Sequence, residues 1–249
     1  MKFTTRHVLT AAAIALGTAT AAPAGTISFL DIAGGTGFTD STGATRTGGE
    51  ADWNTRVGAG VGIKDAATGI SVIGTALLSD ESGGALAYFD NGAGLGVCSG
   101  FNGSQCSPAN DDNVGAIGGS KNAGDGTFET LVLSFSGAVD LSNIMFRAEG
   151  HGLFGGSVKI DGTDTAISGG AFTTLLTGSE FKFQYIPVAS NQGATNEFYI
   201  DSVTISASTG PNPGQPSAPV PVPAAGLLLL SGIGGLGGLG LMRRRKPAA

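Results

Sequence analysis

Apolar and polar residues alternate with a period of two along most of this chain. Ile27 and Phe29 alternate with Ser28 and Leu30 before Asp31, and residues 69–78 form an apolar run that includes Val72 and Ile73. A third run covers 86–89. The clearest covers 127–136, where Leu131, Leu133 and Phe135 alternate with Thr130, Val132 and Ser134. Ile144 with Phe146, Val158 with Ile160, and Phe181, Phe183 and Tyr185 continue the pattern, which closes on Phe198 with Ile200 and Val203 with Ile205. Such alternation marks strands with one face buried. Apolar spacings of three and four over a helix length do not recur outside the two terminal apolar segments. Asp161-Gly162 and Asn91-Gly92 follow apolar runs and favour tight reversals. Short strands at intervals of about ten residues, separated by Gly, Asp and Asn, predict an all-β body over 25–206: an antiparallel two-sheet sandwich, jelly-roll-like.

Both ends break the pattern. Residues 1–24 read as a secretory signal peptide with a signal helix. Lys2, Arg6 and His7 form a positive start, 8–16 an apolar stretch, and Ala22-Pro23-Ala24 a small-x-small cleavage pattern. The cut is expected between Ala24 and Gly25, with alternatives over 19–22. At the other end, residues 207–219 are rich in proline and glycine and read as a linker. Residues 220–246 then carry three parts: Val220-Pro221-Val222-Pro223-Ala224, an uncharged stretch to Met242, and Arg243-Arg244-Arg245-Lys246. As a helix, 224–242 would span about 28 Å, close to the ~30 Å hydrocarbon core of a bilayer. Its seven glycines make it a marginal transmembrane helix, though small residues also allow close helix packing. The basic cluster should stay cytoplasmic, which places the body outside. The plainest reading is a single-span anchor.

The proline motif, the helix and the basic end, in that order, resemble the C-terminal sorting domain of the PEP-CTERM class of Gram-negative surface proteins, and most closely its VPLPA-CTERM variant. Val222 stands where that variant usually has leucine, and the glutamate of the Val-Pro-Glu-Pro form is missing. The resemblance implies export across the inner membrane by the secretion machinery and processing by an exosortase-type membrane protease near the proline motif. The product would be surface-bound or released, its C-terminal membrane anchor transient or retained. Pro221 and Pro223 suit such a cut, because they hold the segment extended. A Gly-rich sorting system read by a rhomboid-type protease ranks lower, since it lacks the proline motif. Gly94-Leu95-Gly96-Val97-Cys98, then Asp111-Asp112-Asn113-Val114, Phe128-Glu129-Thr130-Leu131 and Phe198-Tyr199-Ile200, are also similar to bodies of that class. There the first is a turn and the last a closing strand. This supports the sandwich and implies no activity.

Charge narrows the partners. All 19 acidic residues lie between 25 and 218 with only seven bases, so the body carries −12 against −6 for the whole chain. That surface repels phosphate backbones, which argues against nucleic acid; divalent cations and neutral or cationic polymers fit better. The stretch 25–218 is long enough for one buried core.

Candidate chemistry is sparse. Cys98 and Cys106 share one polar loop of an exported body and are expected to form a disulfide. His151 is the one histidine left after removal of the signal peptide, and it reads as a polar loop residue. No Gly-x-Ser-x-Gly elbow accompanies it. Asp111, Asp112 and Asn113 are consecutive hard oxygen donors, and Asp161 with Asp164 flank a turn; a structural calcium ion is the candidate cofactor. Gly34-Gly35-Thr36-Gly37-Phe38-Thr39-Asp40 is similar to a calcium nonapeptide, but its Asp comes one place late and nothing repeats. Trp53 and the three tyrosines could line a sugar-stacking face, although a core place for Trp53 is the simpler reading. The leading expectation is a non-catalytic cell-surface or extracellular-matrix protein associated with exopolysaccharide or biofilm. The alternatives are a calcium-modulated carbohydrate-binding or adhesive module and, third, a secreted hydrolase working with two carboxylates.

Overall fold

The computed structural model describes residues 22–79, 84–103, 105–107, 112–116, 127–187 and 196–208. The chain begins with β1 (Ala24–Ser28) and a one-turn helix α1 (Phe29–Ala33), followed by β2 (Phe38–Asp40), β3 (Thr45–Arg46) and β4 (Ala51–Asp52). A second short helix, α2 (Trp53–Arg56), leads into β5 (Ile63–Lys64), β6 (Ser71–Leu78), β7 (Leu86–Asp90) and β8 (Gly94–Cys98). A two-residue pair, β9 (Phe101–Asn102) and β10 (Gln105–Cys106), precedes the long β11 (Glu129–Ala148). The last are β12 (Ser157–Ile160), β13 (Thr163–Ala166), β14 (Ala171–Phe172), β15 (Leu176–Tyr185) and β16 (Phe198–Ala207). Fourteen strands join one network, while β9 and β10 pair with each other. The pairings are antiparallel, so the body is all-β as the alternation predicts.

The organising element is β11. Its first part pairs with β6 on one edge, from Glu129↔Leu78 to Phe135↔Val72, and with β15 on the other, from Thr130↔Gln184 to Ser134↔Glu180. From Val139↔Ala207 to Ala148↔Phe198 the edge that carried β6 carries β16 instead. The sequence suggests separate strands around 127–136 and at Ile144 and Phe146; they are one continuous strand. Residues 129–133 are all buried; beyond them the buried positions are odd-numbered at Phe135, Val139 and Leu141, then even at Ile144 and Phe146. A register shift between Leu141 and Asn143 causes the change, because one extra residue turns every later side chain to the opposite face. The same happens in β16 opposite Met145 and Phe146, where Asp201 is the inserted residue.

The first strand is shorter than its alternation suggests. It stops at Ser28, whose hydroxyl accepts the Asp31 N–H at 3.1 Å and caps α1. Asp52 caps α2 likewise, accepting from Thr55 N at 3.0 Å and from Thr55 Oγ1 at 2.6 Å. Neither helix has the length for a periodic apolar signal. Among the described residues no helix is long and apolar enough to cross a membrane. The signal helix up to residue 21 and the C-terminal segment from 209 lie outside the described residues; Ala24 itself opens β1.

The core is aromatic. Phe146 of β11 meets Phe183 of β15, Phe198 of β16 and Phe154 at centroid distances of 6.1, 5.6 and 6.3 Å. Trp53 stacks on Phe89 at 5.3 Å and is 2 % exposed. Its ring lies over Gly74, where a Cβ would meet it at 2.7 Å. Its Nε1–H donates to the Val61 carbonyl at 3.0 Å.

Candidate functional site

A group of described polar side chains gathers at the turn end of the β7–β8 hairpin. The Asn91-Gly92 reversal forms as expected: Asp90 pairs with Gly94 across the loop, and Gly92 takes φ 108°. Asp90 is thereby held at the end of β7 and buried. His151, in the turn after β11, reaches it with Nε2 at 3.1 Å from Asp90 Oδ2. The imidazole rests on Gly92, where a Cβ would come within 2.9 Å of Nδ1. His151 has φ 61°, a region that residues with a side chain seldom occupy. Its carbonyl accepts from Arg147 Nη1 at 2.9 Å, and Arg147 Nε donates to Asp201 Oδ2 at 2.7 Å. The β16 bulge thus supplies the carboxylate that fixes the arginine holding the histidine loop.

A second layer lies beneath. The Tyr199 ring stands edge-on to His151, centroids 6.1 Å apart, and its hydroxyl donates to Asp112 Oδ1 at 2.5 Å. Asp112 can approach because β8 carries Gly94 and Gly96 on one side. A Cβ at Gly96 would fall 2.0 Å from the Asp112 carbonyl oxygen, and one at Gly94 2.4 Å from that of Ile200. The Gly-Leu-Gly-Val segment, expected to be a turn, is therefore a fully buried strand that uses glycine for close backbone approach. Beyond it, the Tyr88 hydroxyl lies 3.0 Å from Glu50 Oε1 and 3.2 Å from Gln105 Oε1. Its single proton serves one of them; a half-turn of the Gln105 amide would let its NH2 donate to the phenolic oxygen.

Burial and like charge perturb these groups. Asp90 is pushed up to about 6, first by burial and then by the Asp112 and Glu50 charges, with His151 opposing. Burial raises Asp112 as well, while the Tyr199 hydrogen bond pulls the other way. Both tyrosine hydroxyls are raised far above the ordinary phenol range, chiefly by burial. The cluster can hold a proton near neutrality and presents carboxylates to a hydrogen-bond donor or a cation. Among the described residues no group of three or more His, Cys, Asp or Glu is disposed to hold a metal ion.

The residues singled out by sequence fare differently. Cys98 and Cys106 lie at disulfide distance, S–S 2.08 Å, and pack with Tyr88. Ala24 and Gly25 sit in β1 opposite Ser206 and Ile205. Val220, Pro221, Val222, Pro223 and Ala224, and Arg243, Arg244, Arg245 and Lys246, lie outside the described residues, as does Asp111. Asp112 accepts from Tyr199, and Asn113 is buried. Asp161 turns its carboxylate to the Lys182 N–H at 2.8 Å, and Asp164 pairs with Lys159 at 3.6 Å. Asp40 is fully buried and accepts from Thr42, Ala44 and Arg46. Those bonds hold its carboxyl far below the usual range and close the turn from β2 to β3, while Phe38 to Asp40 of the Gly34-to-Asp40 segment form β2. Trp53, Tyr88, Tyr185 and Tyr199 are each 2 % exposed or less, which overturns the sugar-stacking face for these four rings. The sequence reading passed over Glu50 and Asp90 and gave Tyr88 and Tyr199 only a sugar-stacking role; of the His151 environment, Asn91-Gly92 was the one local signal.

Compared with protein-family models, curated proteins and solved structures, the chain finds no match.

Proposed function

We propose that this chain is an exported, non-catalytic surface or extracellular-matrix protein whose all-β body is displayed on, or released from, a C-terminal sorting segment. One observation carries the reading: β1 and β16 are neighbours, Ala24 opposite Ser206. The cleavage site at one end and the stalk at the other leave the body side by side. The body between them is a loop closed on itself, which suits removal of one terminal segment and suspension from the other. Several buried carboxylates are engaged internally. Asp40, Asp52 and Asp65 bind the backbone of their own turns. The −12 charge suits a hydrated matrix and repels nucleic acid.

We also read the strand network as two sheets folded face to face in a jelly-roll-like sandwich. The exchange of β6 for β16 along β11 supports this. So does the contact at Gly74 of β6, where the Leu95 side chain of β8, a strand that pairs with β7 and β16 rather than with β6, would lie 3.3 Å from a Cβ. The calcium-modulated adhesive alternative keeps one footing, the raised carboxylates of Asp90 and Asp112.

Intact-mass spectrometry of the exported protein tests the proposal. A product starting at Gly25 and ending near 220–224 is expected, with the tail retained when the exosortase-type protease is removed. A cytosolic polypeptide carrying both ends intact overturns it.

A further inference from the structure

We infer that Asp65 is the receptor for the α-ammonium group that cleavage creates on Gly25, so that signal removal completes an ion pair in the folded body. This rests on the proposed export and cut, and goes beyond them by assigning the new amino terminus a built partner.

Gly25 lies in β1 opposite Ile205, and the Asp65 carboxylate covers its Cα directly. A Cβ built on Gly25 would stand 2.0 Å from Asp65 Oδ2, 2.3 Å from Cγ and 2.4 Å from Oδ1. Any side chain at 25 would displace that carboxylate. Because N and Cβ of one residue are about 2.5 Å apart, the Gly25 nitrogen is within about 4.5 Å of Asp65 Oδ2.

Asp65 is 8 % exposed and cannot swing away easily. Its Oδ2 accepts from Thr68 N and Thr68 Oγ1, both at 2.7 Å. Its own N–H donates to the Ile70 carbonyl at 2.8 Å, and its carbonyl accepts from Gly69 N at 2.9 Å. Among the described residues no hydrogen-bond donor reaches Oδ1, which would stand 2.4 Å from a Cβ on Gly25, slightly farther than the Thr68-bonded Oδ2. In the uncut chain the group beside this carboxylate is a neutral amide. Hydrolysis of the Ala24–Gly25 peptide bond consumes one water, leaves a carboxylate on Ala24, and leaves on Gly25 an amine that takes a proton at neutral pH. A buried carboxylate with one oxygen to spare then gains a charge partner. The lining of the adjacent cleft, of about 340 Å³, runs from Thr26 of β1 to Lys64 and Asp65, so the new terminus would have room to settle against the carboxylate.

The sign follows from linkage. An opposite charge raises the folded-state titration of the α-ammonium above its unfolded value. The stabilisation is then full below about pH 8, the ordinary α-amino value, and lost as pH rises through the folded value.

The test uses the full chain exported from cells, as wild type and as Asp65→Asn. Mass spectrometry fixes the amino terminus. The α-amine is titrated by NMR after isotopic dimethylation, folded and in urea. A Gly25 terminus titrating about one pH unit higher in the folded wild type than in urea or in Asp65→Asn is expected. Export with cleavage elsewhere overturns the inference and leaves the proposed function standing, whereas failure of export removes both. A Gly25 terminus with the same titration folded and unfolded overturns the ion pair alone. That wild-type comparison decides even if Asp65→Asn does not fold.

Discussion

At the residue scale the glycine pattern and the carboxylates explain each other. Gly94 and Gly96 leave β8 bare on one side, and the backbone of residues 112 and 200 fills the space. That approach brings Asp112 under Tyr199 and near Asp90, which concentrates negative charge where water is scarce. The consequence for Asp90 is a pH dependence of defined sign. Its folded-state value of about 6 exceeds the ordinary 3.8, so between those values the folded chain keeps a proton that the unfolded chain has lost. Its contribution to stability therefore falls as pH rises from about 4 to 6, and the loss is complete above that. Asp90→Asn should remove this slope, gaining about 1 to 2 kcal/mol at pH 7 relative to pH 4, after allowance for solvent screening. Urea unfolding of both proteins at the two pH values measures it; equal differences would show that Asp90 is not perturbed. Asp90 and Tyr199 could not be picked out by sequence, because an acid ending an apolar run and a tyrosine in a strand look the same whether or not they meet. His151 was visible as the lone histidine of the body, and its partner was not.

At the element scale, β11 shows how far alternation can be trusted. Leu131, Leu133, Phe135, Ile144 and Phe146 are buried as their spacing predicts, although Thr130 and Val132 between them are buried too, and the strand looks like two because a bulge reverses the phase without ending the hydrogen bonding. The helices show the opposite limit. Ser28 and Asp52 cap single turns of five and four residues, too short to leave a period. The β9–β10 pair is held by the Cys98–Cys106 bond beside Tyr88 and Phe101. Such a small ring stabilises by about 2 to 3 kcal/mol on the loop-entropy estimate. Reduction should lower the thermal midpoint accordingly and free Tyr88 from Gln105. Calorimetry with and without a reductant reports the first effect, and near-ultraviolet tyrosine dichroism the second; neither moving would mean that the loop is held by other contacts.

At the scale of the whole molecule, β11, β15 and β16 meet at one buried aromatic cluster. Phe146 touches rings from β15, from β16 and from the loop carrying Phe154. Phe146→Ala should cost about 3 to 5 kcal/mol, a large share of the 5 to 15 typical of a domain. The loss should appear in a single unfolding transition seen by both fluorescence and dichroism. Two separated transitions would mean that the halves are independent domains. The sequence by itself determined the all-β class, the longer strands, the two reversals, the cysteine pairing and the acidic excess, since these follow from local periodicity, turn chemistry and counting. It also carried the targeting reading, which belongs to the ends of the chain and to their order. Only the tertiary structure decided that β1 and β16 are neighbours, that Gly25 lies under Asp65, and that Asp90, Asp112, His151 and Tyr199 form one cluster. Those are meetings between residues up to 182 positions apart, as in Ala24 opposite Ser206. They are set by which strand edges pair and where a bulge turns a face, and neither is written in the residues nearby.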